Sequence, residues 1–172
     1  MRFRVKRVVA VVSSMACLVA VTSLSGTAEA GVGYTAGATG VGDPYFPLEG
    51  NGGYDAQEYQ LNVSYDPATD RLDGRVVIIA RATQNLSRFD LDLQQMDVAG
   101  VDVNGRAARF SRDGQELVIT PRTGLRKGSR FAVTVRYGGV PQPLGGPIMF
   151  GQPYGFLPTD DGAFVAARPA SL

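Results

Sequence analysis

Apolar and polar residues alternate with a period of two along much of this chain. In the segment from Glu58 to Tyr65 the odd-numbered positions are apolar and the even-numbered positions are polar, and the same alternation recurs from Arg130 to Tyr137. A period of two is the pattern of a β-strand with one buried face and one wet face. Both segments are therefore predicted to be strands.

Turn residues separate this alternating pattern into short pieces. Asp66-Pro67-Ala68-Thr69-Asp70 indicates a turn after the first strand, and the run from Arg75 to Thr83, apolar on both faces, predicts a strand in the middle of a sheet. Asn104-Gly105 and Asp113-Gly114 are two-residue hairpin signals. Further strands are expected at 88–93, 101–103 and 117–119. The pattern predicts an all-β fold, an antiparallel sheet or sandwich.

Four segments follow from this pattern and from local composition. Residues 1–30 are predicted to be a signal peptide, residues 31–42 a flexible spacer of small residues, and residues 43–140 the β domain. Residues 141–172, rich in Pro and Gly, are expected not to form a regular element until a short strand at 163–166. The glycines at 50–53 lack the preceding strand and following helix of a phosphate loop, so they are interpreted as a lead-in to the first strand.

The first thirty residues predict export. A basic stretch between Arg2 and Arg7 precedes an apolar run, and Ala28-Glu29-Ala30 is a cleavage signal. Cleavage after Ala30 is expected to make the protein secreted, with no membrane anchor; lipidation at Cys17 is the alternative, although Ser14-Met15-Ala16 before it form a poor lipobox. With four of the 17 basic residues and one of the 16 acidic residues removed, the remaining chain carries a net charge of −2. That charge does not predict binding to nucleic acid.

The chain contains no histidine, and its single cysteine, Cys17, lies within the predicted signal peptide. Zinc sites and the nucleophilic pairs of most hydrolases need His or Cys. Asp90 and Asp92 could form a carboxylate pair for acid–base chemistry or a hard cation, but they are interpreted as a solvated sheet face balanced by Arg81 and Arg88. Asp66, Asp70 and Asp73 do not have the spacing of a calcium loop.

Aromatic residues outside the predicted strands could line a groove for sugar or peptide, although such residues more often fill the edges of a small β core; they are Tyr45, Phe46, Tyr54, Tyr154 and Phe156.

The ordered series GDPYFPLEGNGGYDAQEYQLNVSYDPATDRLDG, ATQNLSRFDLDL, DGQELVITP and GSRFAVTVRYGGVP resembles the N-terminal domain of the aminopeptidase N family of zinc metallopeptidases, of the actinobacterial secreted type. The similarity covers roughly Gly42 to Pro141, and TDDGAFVA at 159–166 resembles the segment that follows. It implies a β-rich domain that packs against a thermolysin-like catalytic domain and lies in a chain truncated before that domain.

The zinc motif of that family, H-E-x-x-H, and its G-x-M-E-N-type substrate-binding strand do not occur in this chain. No catalytic, metal-binding or cofactor-binding residue can therefore be assigned from the resemblance, and zinc is implied only for the full-length family. The expected function is a secreted, non-catalytic β domain of an aminopeptidase, inactive on its own, whose partner is the missing catalytic domain or a peptide substrate. The alternatives are a free-standing exported β module that binds a peptide, a polysaccharide or a protein, and an acid–base enzyme that uses Asp90 and Asp92.

Overall fold

The structure is a computed structural model that describes residues 33–42, 44, 50–143 and 154–166. All of these residues belong to one unit, Gly31–Leu172. The predicted signal peptide, Tyr45, Phe46 and much of the Pro-rich segment lie outside the described residues. The described part of the chain contains no helix, and thus none that is long and apolar enough to cross a membrane.

Eleven strands make up the described fold, in agreement with the all-β prediction. They are β1 (Thr35–Ala36), β2 (Tyr54–Asp66), β3 (Arg71–Ala82), β4 (Leu86–Asp92), β5 (Asp97–Val103), β6 (Arg106–Ala107), β7 (Arg109–Asp113), β8 (Glu116–Thr120), β9 (Arg130–Gly139), β10 (Gly155–Thr159) and β11 (Gly162–Ala166).

Two sheets and one hairpin contain these strands. The larger sheet has five strands in the order β2-β3-β9-β5-β6, and all neighbours are antiparallel. The second sheet has the order β1-β4-β8-β7, in which β1 runs parallel to β4. β10 and β11 pair only with each other. β3 lies between β2 and β9, which is the central position that its apolar sequence predicts.

Local turn chemistry sets the connections. In the turn between β2 and β3 the Asp66 carboxylate accepts hydrogen bonds from the Ala68 N–H at 3.0 Å and the Thr69 hydroxyl at 2.8 Å. Asn104 and Gly105 both have positive φ, 52° and 72°, and form the two-residue turn from β5 to β6 that was predicted. The turn from β7 to β8 is Gly114-Gln115, one residue later than expected.

The core lies between the two sheets. Phe89 of β4 and Phe131 of β9 pack together with ring centroids 5.3 Å apart. In the smaller sheet, Leu86 of β4 and Leu117 and Ile119 of β8 are fully buried. Each buried side chain of this size contributes roughly 1.5–3 kcal/mol to the free energy of unfolding.

Three sequence-based expectations are wrong in part. Residues 31–42 were expected to be a flexible spacer, but Thr35–Ala36 forms β1, and the Thr35 N–H donates to the Asn85 carbonyl at 2.9 Å. Pro158, in the stretch expected to be irregular, lies within β10. A hairpin with no further neighbours tolerates proline, because one side of each strand needs no donor. Tyr54 was placed outside the strands but begins β2.

Candidate docking groove

The apolar face of β2 is exposed although it continues the face that forms the core. In one row across the five-stranded sheet Leu61 lies opposite Val76, Val76 opposite Val135, and Val135 opposite Val101. Val135 and Val101 are only 2% and 3% exposed, whereas Leu61 is 62% exposed. We call this face, which bears Val101, Val135 and Leu61, the inner face. The smaller sheet covers it over β9 and β5 but not over β2.

Two neighbours of Leu61 share its exposure. Tyr59 and Val63, which lie two positions away on either side and therefore on the same face, are 63% and 47% exposed. Single exposed apolar residues are common on protein surfaces, but a contiguous row is typical of an interaction site.

An open groove of about 300 Å³ lies between this row and the end of the smaller sheet. Its walls are apolar, with Tyr59 and Leu61 on the β2 side and Leu91, Leu93 and Leu117 on the side of β4 and β8. Asp92 is the charged residue in its lining. The groove can therefore receive apolar side chains.

The other end of the inner face of β2 is already covered by the chain itself. Phe156 of β10 packs edge-on against Tyr65, with ring centroids 5.0 Å apart. The Tyr65 hydroxyl donates to the Asp70 carboxylate at 2.6 Å, and this bond, together with desolvation, raises the pKa of Tyr65 to about 12. At Tyr65 the inner face of β2 is thus packed against an aromatic ring of the chain itself. The exposed part of the face begins at Val63.

Two acidic residues adjacent in sequence to the groove-lining Leu91 and Leu117, namely Asp90 of β4 and Glu116 of β8, are buried. They are 4% and 8% exposed, and Asp90 Oδ1 and Glu116 Oε2 have no hydrogen-bond donor. Burial raises the pKa of Asp90, with a smaller opposing effect from Arg88, and burial followed by repulsion from Asp92 raises the pKa of Glu116. The Asn51 side-chain amide Nδ2 donates a hydrogen bond to Asp92 Oδ2 at 3.2 Å, next to these buried carboxylates.

The expectation of a solvated acidic face is therefore wrong for Asp90. Arg81, one of its two expected counter-ions, donates instead to the Gly128 carbonyl at 2.7 Å. The structure brings Asp90 and Asp92 to one end of β4, but it gives them different environments: one is buried and one is exposed.

Zinc does not fit the residues present. Among the described residues no group of three or more Asp, Glu, His or Cys could hold a metal ion, and the sequence supplies no histidine for H-E-x-x-H. The carboxylates that superficially resembled a calcium loop have local roles: Asp66 and Asp70 serve the β2–β3 turn, and Asp73 pairs with Arg71 at 2.7 Å.

Two of the aromatic residues considered for a ligand groove, Tyr54 and Phe156, have different ring partners. Tyr54 packs in the core against Phe89 and Phe131, with ring centroids 5.6 Å and 6.2 Å away, and Phe156 contacts Tyr65. Tyr45 and Phe46 lie outside the described residues. Among these aromatics the described contacts favour core packing, and only Tyr54 also reaches the groove lining.

Several solved structures similar to this chain are zinc metallopeptidases. An M1 zinc metallopeptidase from Deinococcus radiodurans is 30% identical with a TM-score of 0.61, over 69% of this chain and 27% of that protein. A two-domain M1 zinc metallopeptidase variant bound to L-arginine is 30% identical with a TM-score of 0.62, over 70% and 28%. Its counterpart bound to L-tryptophan is 33% identical with a TM-score of 0.57, over 63% and 25%.

This chain has the β fold of an M1 zinc metallopeptidase domain. The similarity to this family that the sequence indicated is thus confirmed. The chain spans about a quarter of the length of these M1 proteins. No protein-family model matches the sequence, and no curated protein matches it either.

Sequence reasoning missed the groove of this M1-like domain. The alternation of Tyr59, Leu61 and Val63 marks one apolar face of β2, but it carries no signal that the smaller sheet leaves this part of the face uncovered. Alternation shows which residues share a face, but it does not show what covers that face.

Proposed function

We propose that this chain is the non-catalytic β domain of a secreted zinc metallopeptidase of the aminopeptidase type. The observation that carries the proposal is the 30–33% identity to M1 zinc metallopeptidases over roughly two thirds of this chain, at TM-scores of 0.57 to 0.62. The matched part is about a quarter of those proteins, as expected if the similarity concerns one domain of a larger enzyme.

The exposed inner face of β2 supports a role in docking. A free-standing domain gains by burying a row such as Tyr59, Leu61 and Val63, at roughly 25 cal/mol for each Å² of apolar surface removed from water. We infer that the groove beside this row contacts the remainder of the enzyme. In this role the β domain supports the catalytic part and takes no part in bond cleavage.

Chemistry on the peptide would belong to the catalytic part. In the parent family zinc is held by H-E-x-x-H, and this chain has no histidine with which to form that site. The M1 structures bound to L-arginine, to L-tryptophan and to a Tyr-Ser-Ala substrate suggest that the whole enzyme would act on the N-terminal end of peptides.

A first experiment measures release of N-terminal residues from peptide reporters by the purified chain, with zinc and with a chelator. We expect no release that exceeds the buffer control in either condition. Robust release that the chelator abolishes would show that the chain is itself a metallopeptidase and would overturn the non-catalytic role.

A second experiment gives the domain a catalytic partner. In the Deinococcus radiodurans M1 enzyme the matching β segment is replaced by the described β domain of this chain, and we expect the chimera to keep zinc-dependent activity. Tyr59→Asp should lower the yield of active chimera, because it places a charge in the groove. Phe110→Asp, which changes an exposed apolar residue of β7 outside the groove, is the matched control. Equal yields from both variants would exclude the groove as the docking site.

A further inference from the structure

β2 is a long strand, and no other strand of the described residues pairs with its outer edge. It pairs with β3 on one side, and it stands at the end of the five-stranded sheet. A free edge presents unpaired N–H and C=O groups, which can pair with a strand from another molecule. The edge is therefore a surface separate from the groove, which lies on the face of the same strand.

The edge of β2 lacks the features that usually prevent such pairing. Among the described strands the other sheet edges are short: β1 and β6 have two residues each, and β7 has five residues that include Arg109 and Arg112. β2 has 13 residues and contains no Pro, Lys or Arg. One bulge, between Ala56 and Glu58, interrupts it near its start. The uninterrupted edge runs from Glu58 to Asp66.

The sequence of β2 is compatible with antiparallel pairing to a second copy of itself. A register that sets odd-numbered residues of one copy opposite even-numbered residues of the other places Leu61 beside polar side chains. Only a register that sets odd-numbered residues opposite odd-numbered residues continues the apolar face from one copy to the next. A two-fold axis at Leu61 sets Leu61 opposite itself and Tyr59 opposite Val63 of the second copy. Three apolar pairs then form in one row.

Charge narrows the register further. The charged residues of β2 are Asp55, Glu58 and Asp66, all acidic. A two-fold axis at Asn62 would place Glu58 directly opposite Asp66 of the second copy, which is unfavourable. An axis at Leu61 places Glu58 opposite Ser64, and an axis at Gln60 forms only two apolar pairs. An axis at Val63 also forms three apolar pairs, but two of them use Tyr65, whose ring already packs against Phe156. Pairing about Leu61 therefore gives the most apolar contacts from residues that are not already covered, with no like charges directly opposed.

We propose that β2 is a dimerisation edge, along which two copies of this chain pair antiparallel about Leu61 and join their five-stranded sheets into one continuous sheet. Backbone hydrogen bonds supply the pairing, and the apolar row supplies the preference for this register. The two copies use the same surface, as a two-fold dimer requires. This inference does not depend on the proposed role in a metallopeptidase.

The test is the molar mass of the purified chain, measured by light scattering and by sedimentation over a series of concentrations. The parent chain should be a dimer that dissociates on dilution. Leu61→Lys sets two lysines opposite each other and should weaken the dimer by at least about tenfold, since like charges directly opposite are destabilising. Leu61 is exposed in the single copy, so the substitution should leave the far-ultraviolet circular dichroism spectrum unchanged. Phe110→Lys on β7 should remain dimeric.

A charge exchange tests the register itself. Leu61→Lys and Leu61→Glu should each be monomeric, whereas an equimolar mixture should form a heterodimer, because residue 61 then meets the opposite charge. As the control, Phe110→Lys and Phe110→Glu should each dimerise like the parent chain, alone and in an equimolar mixture. A parent chain that is monomeric throughout, a Leu61→Lys variant that dimerises like the parent, or a mixture that stays monomeric would each overturn the proposal.

Discussion

Gly74 of β3 lies directly opposite Tyr137 of β9, and the tyrosine ring covers it so closely that a Cβ atom at position 74 would lie 2.3 Å from Cζ of that ring. The glycine thus provides the space in which the ring lies across the sheet. Tyr137 also lines the groove, so this pair fixes one part of the groove wall.

Gly74→Ala should destabilise the domain by about 1–3 kcal/mol, because the ring must leave its position or the strands must shift. Urea denaturation of the purified chain measures the change. In a Tyr137→Leu background, where the ring is absent, the same substitution should cost clearly less. An equal cost in both backgrounds would show that the ring is not the obstacle.

Asn104 begins the turn from β5 to β6 with a φ of 52°, and its side-chain Oδ1 accepts a hydrogen bond from the Ala132 N–H at 2.9 Å. Asn104→Ala should lower the free energy of unfolding by about 1–2 kcal/mol, because alanine disfavours positive φ and cannot accept that bond. Asn104→Gly keeps the conformational freedom and loses only the bond, so its cost in the same denaturation experiment should be smaller. If glycine costs as much as alanine, the backbone conformation is not the cause.

The strands and hairpin turns could be predicted because their signals are local. The alternation from Arg130 to Tyr137 and the Asn104-Gly105 pair each act within a few residues, and the structure places β9 and the β5–β6 turn there. β1 could not be predicted in this way. Its two residues are strand only because they lie beside β4, some 50 residues later in the chain.

The candidate site escaped prediction for a related physical reason. Alternation put Asp90 on the face opposite Phe89 and Leu91, which in an isolated sheet would be wet. In the fold Asp90 is buried, and Asn51, far away in sequence, reaches the same end of β4. The exposure of Leu61 likewise depends on how far the smaller sheet extends, which no pattern within β2 encodes.

Tyr54 links the core to β4 through both its ring and its hydroxyl. The ring contacts Phe89 and Phe131, and the hydroxyl donates to the Asp90 carbonyl at 3.0 Å, while burial raises the pKa of Tyr54 well above its usual value. Tyr54→Phe removes only the hydrogen bond and should cost about 0.5–1.5 kcal/mol, whereas Tyr54→Ala also opens a cavity and should cost about 3–5 kcal/mol. Chemical denaturation distinguishes the two. Similar costs for both variants would mean that the ring contacts contribute little.

The two buried acidic residues predict that stability falls as pH rises. The pKa values of Asp90 and Glu116 are raised in the fold, so between the unfolded values, about 3.9 for Asp and 4.3 for Glu, and the raised folded values the native state holds more protons than the unfolded chain. In that window each increase in pH lowers the contribution of these groups to the free energy of unfolding. Below it both states are protonated, and the contribution is constant.

Asp90→Asn should remove the part of this dependence that belongs to Asp90. At about pH 7 the variant should be more stable than the parent by roughly 1 kcal/mol, since a buried carboxylate with an unpartnered oxygen becomes neutral, and at about pH 4 the two should be nearly equal. Urea denaturation at a series of pH values measures both. Asp55→Asn, an exposed substitution on β2, should change stability by less than about 0.5 kcal/mol at every pH. A variant that is less stable than the parent at neutral pH would show that the Asp90 charge is compensated in the fold, and the lack of a donor at Oδ1 would then not be the cost inferred from the structure.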